Sequence, residues 1–257
     1  MKNILLLISV ATVLILSGCF PKSPNTAKVD VAADKAAARA NVLTDRERAE
    51  GWELLFDGKS YDQWKGFNGE DVSGGWVIKD DCLMSLGRGG DIGGDLVTKK
   101  DYENFELQLE WRISHGGNSG ILYGVVEDPK YKAAYYTGPE YQLLDDVGRY
   151  GSGEEWHLTG ANYAMHIADK SKKKLQMVGG PEFNKTLIIV NKNHVEHWLN
   201  GEKIIDFQRW TDDWYKRKNE GKWKDYPDYG MAKKGKISLQ DHGSYIRFRN
   251  IKLKVED

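Results

Sequence analysis

The sequence has little cysteine, little proline and no excess of charge of either sign. Two cysteines, Cys19 and Cys82, in 257 residues exclude a disulfide-stapled scaffold. A chain of this length can bury a sizeable core without staples. Lys+Arg 37 against Asp+Glu 38 leaves a net charge of -1, so no basic face of the kind nucleic acid requires is expected. The apolar stretch Ile4 to Leu16 falls short of the roughly 20 residues of a membrane helix. No Gly-rich phosphate loop follows a strand, and no Gly-x-Ser-x-Gly elbow is present, which removes two common enzyme classes. Pro 6 beside Gly 28, Trp 9 and Tyr 13 favours strands and turns over helices.

What is present begins with an address. Met1-Lys2-Asn3 is basic, Ile4 to Leu16 is apolar, and Leu16-Ser17-Gly18-Cys19 has the small residues before cysteine of a bacterial lipobox. Residues 1–18 read as a lipoprotein signal peptide, with Cys19 as the acylated first residue of the mature chain. Residues 19–50 read as a lipidated tether, Pro-containing at first and Ala-rich later. The expected location is outside the cytoplasm, held to a membrane by the lipid alone. Cys82 then has no partner and reads as a small buried hydrophobe. Thr44-Asp45-Arg46-Glu47 fits a capping box for a short helix.

From Gly51 the pattern is β. Phe105, Leu107, Leu109, Trp111 and Ile113 alternate with polar residues, giving a strand with one apolar face. Asn200-Gly201 between two apolar runs predicts a hairpin, because both turn residues need positive φ. The apolar parity shifts across Asn250, which predicts a bulge. Thr186 to Val190 and Lys236 to Leu239 are further strands, and Thr211 caps a helix to Lys218. The expected fold is all-β: a single domain over 51–257, built as a two-sheet antiparallel jelly-roll sandwich.

Two strands carry polar residues on one parity. In Glu140-Tyr141-Gln142-Leu143-Leu144, Glu140 and Gln142 share the face opposite Tyr141 and Leu143. In Ile237 to His242, Ser238, Gln240 and His242 share the face opposite Ile237 and Leu239. If these faces converge, a carboxylate, an imidazole and amides line one cleft, a set that binds sugar, holds a metal or moves protons. A solvated outer sheet face is the alternative. The Gly-rich segment His115 to Gly120 can bring Asn118 to the same place. His194 and His197 read as a surface hairpin pair, and His157 stays undecided. The aromatics between Trp210 and Tyr229, Trp223 among them, suit either a core or the rim of a carbohydrate cleft.

Several ordered motifs then coincide. They are Leu54 to Ser60 with Trp64, Asp95 to Leu107, Asn118-Ser119-Gly120-Ile121, Gly138 to Asp145, Glu196 to Gly201, and Leu239 to Gly243 with Phe248 to Ile251. Together they resemble the 3-keto-disaccharide hydrolase family over about Gly51 to Val255. The resemblance implies a concanavalin-like or glucanase-like jelly roll acting on glycosides oxidised at C3. It places Glu140 and His242 first as base or metal ligands for a divalent ion. It gives Asn118, Gln142 and Gln240 to the sugar hydroxyls or the enolate oxygen, and Asp145 and Asp241 to orienting a neighbour or to substrate. His166 is the expected acid. Thr159 to Tyr163 followed by Met165-His166 departs from the family's Gly-rich stretch and leaves the pocket wall open. The other reading is a non-catalytic carbohydrate-binding lipoprotein on the same fold.

Overall fold

The computed structural model describes residues 40–256 apart from 70, 73, 89–93 and 149–153. The leader, Cys19 and most of the expected tether lie outside the described residues. Thirteen strands make up the regular structure of the described residues, with few helical residues. They are β1 (Trp52–Leu54), β2 (Trp64–Gly66), β3 (Trp76–Lys79), β4 (Cys82–Leu86), β5 (Leu96–Thr98), β6 (Phe105–Ile113), β7 (Asn118–Val125), β8 (Glu140–Leu144), β9 (Asn184–Asn191), β10 (His194–Leu199), β11 (Glu202–Gln208), β12 (Lys236–Leu239) and β13 (Tyr245–Val255). Two short helices join them, α1 (Asp45–Ala49) and α2 (Asp212–Glu220).

The strands form two antiparallel sheets, the jelly-roll sandwich expected. The larger runs β11-β10-β9-β6-β13-β4-β3, with β1 also pairing with β13. The smaller runs β2-β5-β12-β7-β8. β6 shows why the apolar faces turn inward. Its five apolar residues are buried and its polar residues are not. The outward ones find partners across the sheet, Glu106 with Lys254 at 2.9 Å and Glu110 with Arg249 at 2.8 Å. Against the inner face of β6 and β9 stand Ile121, Tyr123, Tyr141, Leu143, Ile237 and Leu239 of the smaller sheet. Full burial of each such side chain contributes roughly 1.5–3 kcal/mol. Buried polar tips are satisfied: Trp111 Nε1 donates to Thr186 Oγ1 at 3.0 Å, and Trp64 Nε1 to the Leu55 carbonyl at 2.7 Å.

Local signals in the sequence are met at their residues. Thr44 caps α1 in a full capping box, and Thr211 caps α2. Asn200 and Gly201 take φ of 49° and 88° between β10 and β11. The β13–β6 register shifts between Arg249 and Lys252, with Asn250 at φ 51°. Cys82 is buried, and burial pushes its thiol pKa up.

Two expectations change. Packing begins before Gly51, because Asn41 exchanges hydrogen bonds with Asn250 at 2.6 and 2.8 Å and Glu47 pairs with Lys252. His197 is not on the surface. β10 turns Val195, His197 and Leu199 inward, and His197 is fully buried. There it bonds the Tyr123 hydroxyl at 3.1 Å and the Gly160 carbonyl at 3.0 Å.

Candidate functional site

The chemistry-bearing side chains sit on the outward face of the smaller sheet. Strand register puts them there. Glu140 lies opposite Leu122, Gln142 opposite Gly120 and Leu144 opposite Asn118. On the other side of β7, Ser238 pairs with Leu122, and the Gln240 N–H donates to the Gly120 carbonyl at 3.0 Å. Gln240, Gly120 and Gln142 therefore form one row and Ser238, Leu122 and Glu140 the next. Every residue of β7 and β8 is buried, so this face is covered as well as the core face.

The covering elements leave a cleft of ≈ 370 Å³, lined by Asn118, Tyr135, Glu140, Gln142, His157, Tyr163, Lys222, Trp223, Tyr226, Gln240 and His242. Six of the residues singled out from sequence thus share one cavity: Glu140, His242, Asn118, Gln142, Gln240 and Trp223. Each is held from beneath. The Glu140 carboxyl lies across the backbone of Gly120, where an added Cβ would stand 2.2 Å from Oε1. Gln142 Nε2 donates to Asn118 Oδ1 at 2.7 Å and to the Ser119 carbonyl at 3.2 Å. Because its Oδ1 is taken, Asn118 meets the cleft with its amide hydrogens. Gln240 Oε1 is buried and finds no protein donor among the described residues. His242 follows β12 on a turn bolted to both sheets. The Asp241 N–H donates to Asp95 Oδ1 at 3.0 Å, and Asp241 Oδ1 accepts from Ser85 Oγ at 2.9 Å and from the Gly243 N–H at 3.2 Å. Asp241 therefore positions His242 and does not face the cleft itself.

The far wall comes from the Thr159–Tyr163 stretch and the aromatic tract before Tyr229, both singled out in the sequence, and from the turn that carries His157. Residues 160–163 run along the outer edge of β8: Gly160 N–H donates to the Gln142 carbonyl at 2.8 Å, Gln142 N–H to the Ala161 carbonyl at 3.0 Å, and Tyr163 N–H to the Glu140 carbonyl at 3.0 Å. This is the stretch that departs from the family pattern, and it delivers Tyr163 to the cleft. His157 lies in a 3-10 turn, Glu155–His157, and its ring stands 5.2 Å from that of Tyr163. Burial, aided by the neighbouring Lys222 ammonium, lowers the His157 pKa below its ordinary value, so its imidazole is neutral near pH 7. Another 3-10 turn, Lys222–Asp225, brings Lys222 and Trp223. Trp223 is almost fully buried, stacks on Tyr229 with centroids 4.0 Å apart, and donates from Nε1 to the Tyr163 carbonyl at 3.1 Å. It is a supporting wall, so Tyr135, Tyr163 and Tyr226, all less buried, supply the aromatic rim.

Two expected residues do not join. His166 stacks on Phe207 with centroids 4.2 Å apart and bonds Asn162 Nδ2 at 3.2 Å, outside the cleft lining. Burial lowers its pKa to about 4, so near pH 7 it is a neutral imidazole, whose remaining N–H is a poor acid. Asp145 is a turn staple: its carboxylate accepts from the N–H groups of Gly116 at 2.8 Å, Val147 at 3.2 Å and Gly148 at 3.0 Å. For the expected divalent ion, Glu140 and His242 line the cleft with amide side chains, but no third carboxylate, thiol or imidazole ligand atom gathers with theirs among the described residues. Among the described residues, the three carboxylate, thiol or imidazole groups whose ligand atoms gather within 4.8 Å are those of His194, Glu196 and Asp206. These lie on the β10–β11 hairpin, and Lys203 already bridges Glu196 and Asp206 at 3.3 and 2.6 Å.

Comparisons with known proteins bear on the family and the fold. The family model for a 3-keto-alpha-glucoside-1,2-lyase-like domain matches residues 51–254. A 3-keto-disaccharide hydrolase of Bacteroides thetaiotaomicron is 32% identical over 262 residues, covering 92% of this chain and 89% of that one. A crystal structure of a glycosyl-hydrolase-like protein from Parabacteroides distasonis is 45% identical, with a TM-score of 0.77, over 85% of this chain and 100% of that one. A second such protein from the same organism is 27% identical, with a TM-score of 0.58, over 80% and 99%.

Proposed function

The chain belongs to the 3-keto-alpha-glucoside-1,2-lyase-like family, and from that premise we propose that it cleaves glycosides already oxidised to a ketone at C3, by elimination across C1 and C2. A C3 ketone acidifies the C2 hydrogen, because the electron pair left behind spreads onto the ketone oxygen. Loss of that proton to a base gives an enolate. When the ketone re-forms, the glycosidic oxygen leaves C1 and a C1–C2 double bond remains. Such a route needs a base and donors for the enolate oxygen. An ordinary glycosidase instead sets two carboxylates about an oxocarbenium ion.

The observation that carries this reading is the convergence of Glu140, His242 and three amide side chains in one largely buried cleft with an aromatic rim. Of the groups there that can accept a proton, Glu140 and His242, which stand with the amides on the sheet side of the cleft, are assigned to the C2 proton. The Asn118 amide hydrogens suit the enolate oxygen, and Gln240 Oε1 suits a sugar hydroxyl as donor. Tyr135 and Tyr226 offer faces for the sugar ring. The leader and Cys19 support a further part of the proposal, that the enzyme is exported and tethered by lipid.

Glu140→Gln and His242→Gln test the assignment. Turnover of a 3-keto disaccharide is expected to fall about 10²-fold or more in at least one of them, with substrate binding retained. A parallel loss of binding and turnover in both would mark a sugar-binding site without base catalysis.

A further inference from the structure

The wall opposite the sheet holds a pair that the base-and-amide set leaves without a role. Tyr163 is placed by backbone, its N–H bonded to the Glu140 carbonyl at 3.0 Å, and both residues line the cleft. Lys222 Nζ donates to the Tyr163 hydroxyl at 2.6 Å and lies 4.1 Å from the ring centroid. The next residue, Trp223, fixes this meeting by donating to the Tyr163 carbonyl. Two distant segments are thus tied together at one hydroxyl on the cleft wall.

A phenol oxygen that accepts from an ammonium can direct its own hydrogen elsewhere, and the phenolate left after losing that hydrogen faces a fixed positive charge. This is what a proton donor to a leaving group requires. The neutral His157 imidazole beside it and the remote His166 do not meet that need. We infer that Tyr163 is the general acid that protonates the departing glycosidic oxygen, and that Lys222 is its positioning residue; this rests on the 3-keto-glycoside reading above.

The step balances within the cleft. The base takes the C2 proton, and the C2–H electron pair passes onto the C3 oxygen. As C3=O re-forms, the C1–C2 double bond forms and the C1–O bond breaks. The departing oxygen keeps that electron pair and takes the Tyr163 proton. Tyr163 is left as phenolate against the Lys222 ammonium. Water then removes the proton held by the base and returns one to Tyr163, which closes the cycle with no oxidant or reductant consumed.

The test uses Tyr163→Phe and Lys222→Met, two 3-keto glucosides differing in leaving group, and exchange of the C2 hydrogen in heavy water. One glucoside carries a sugar alcohol oxygen and the other a 4-nitrophenolate, which departs without a proton. Tyr163→Phe is expected to lose about 10²-fold or more on the first, within the range of general-acid effects, and less than about 10-fold on the second. It should keep C2 exchange, because the base is intact. Lys222, exposed at the cleft rim, should give the same pattern with a smaller loss. Equal losses on both leaving groups, or loss of exchange together with cleavage, would overturn the assignment. If the unmodified enzyme neither cleaves nor exchanges either compound, the 3-keto-glycoside reading itself fails and takes this one with it.

Discussion

At the scale of single residues, like groups have very different fates. Glu140 and Asp145 stand five residues apart in one motif, yet one enters the cleft and the other ties three backbone N–H groups of a turn. The difference at Glu140 is Gly120, whose missing side chain leaves room for the carboxyl. Gly120→Ala would set a methyl 2.2 Å from Oε1, and the carboxyl must swing away. Turnover should drop about 10²-fold, the scale of a 1 Å misplacement, with the melting temperature nearly unchanged; retained turnover would show that the carboxyl is not needed where it lies. The histidines divide the same way. Burial lowers the His197 pKa to about 3, so the folded protein holds it neutral while the unfolded chain takes up a proton below about pH 6.5. The unfolded state then binds more protons, so stability is lost as pH falls from about 6.5 towards 3. His197→Gln keeps a donor for Gly160 and an acceptor for Tyr123. Its urea-unfolding free energy should fall between pH 6 and 4 with a slope smaller than the parent's by about 1.4 kcal/mol per pH unit. Identical slopes would contradict the burial of a neutral imidazole.

At the scale of elements, period-two parity told most of the story. β6 and β12 were legible because each alternates strictly, and β8 because it alternates from Glu140 to Leu143; the polar parity of β8 and β12 marked the face that became the cleft. The bulge at Asn250 was legible for the same reason, as a shift of that parity. Its partner was not: Asn41 lies 209 residues away and no periodicity reaches so far. Asn250→Ala removes the acceptor of the Asn41 N–H, leaves the backbone bond from the Asn250 N–H to Asn41 Oδ1, and puts a residue without Asn's local compensation at φ 51°. A loss of about 1–2 kcal/mol in urea unfolding is expected, and no loss would mean that the 40–44 arm contributes nothing to the fold. The wall at 160–163 was visible only as a departure from the family's motif; its pairing with β8 was not legible, because it runs as irregular chain with no alternation to betray it. Lys222 escaped because its role exists only where its turn meets Tyr163.

At the scale of the whole molecule, the larger sheet backs the smaller one, whose outward face presents its side chains to a cleft made by long connections. Composition, strand parity and ordered motifs together were enough to reach the fold class and the sheet half of the site. The other half, the wall formed by His157, Tyr163 and Lys222, depends on contacts between segments about 60 residues apart, and sequence alone weights every exposed lysine or tyrosine alike. The address at the N-terminus makes a separate prediction. Cys19→Ser should release the protein from the membrane fraction while the activity of the soluble domain is kept, and an unchanged membrane fraction would rule out the lipid anchor. The most direct test of the central claim uses the chain from Phe20 onward, incubated with a 3-keto disaccharide and with the unoxidised parent sugar, with products followed over time. Cleavage of the keto sugar alone is predicted, because only the ketone acidifies C2. Cleavage of both at similar rates would contradict the elimination chemistry and point to an ordinary glycosidase.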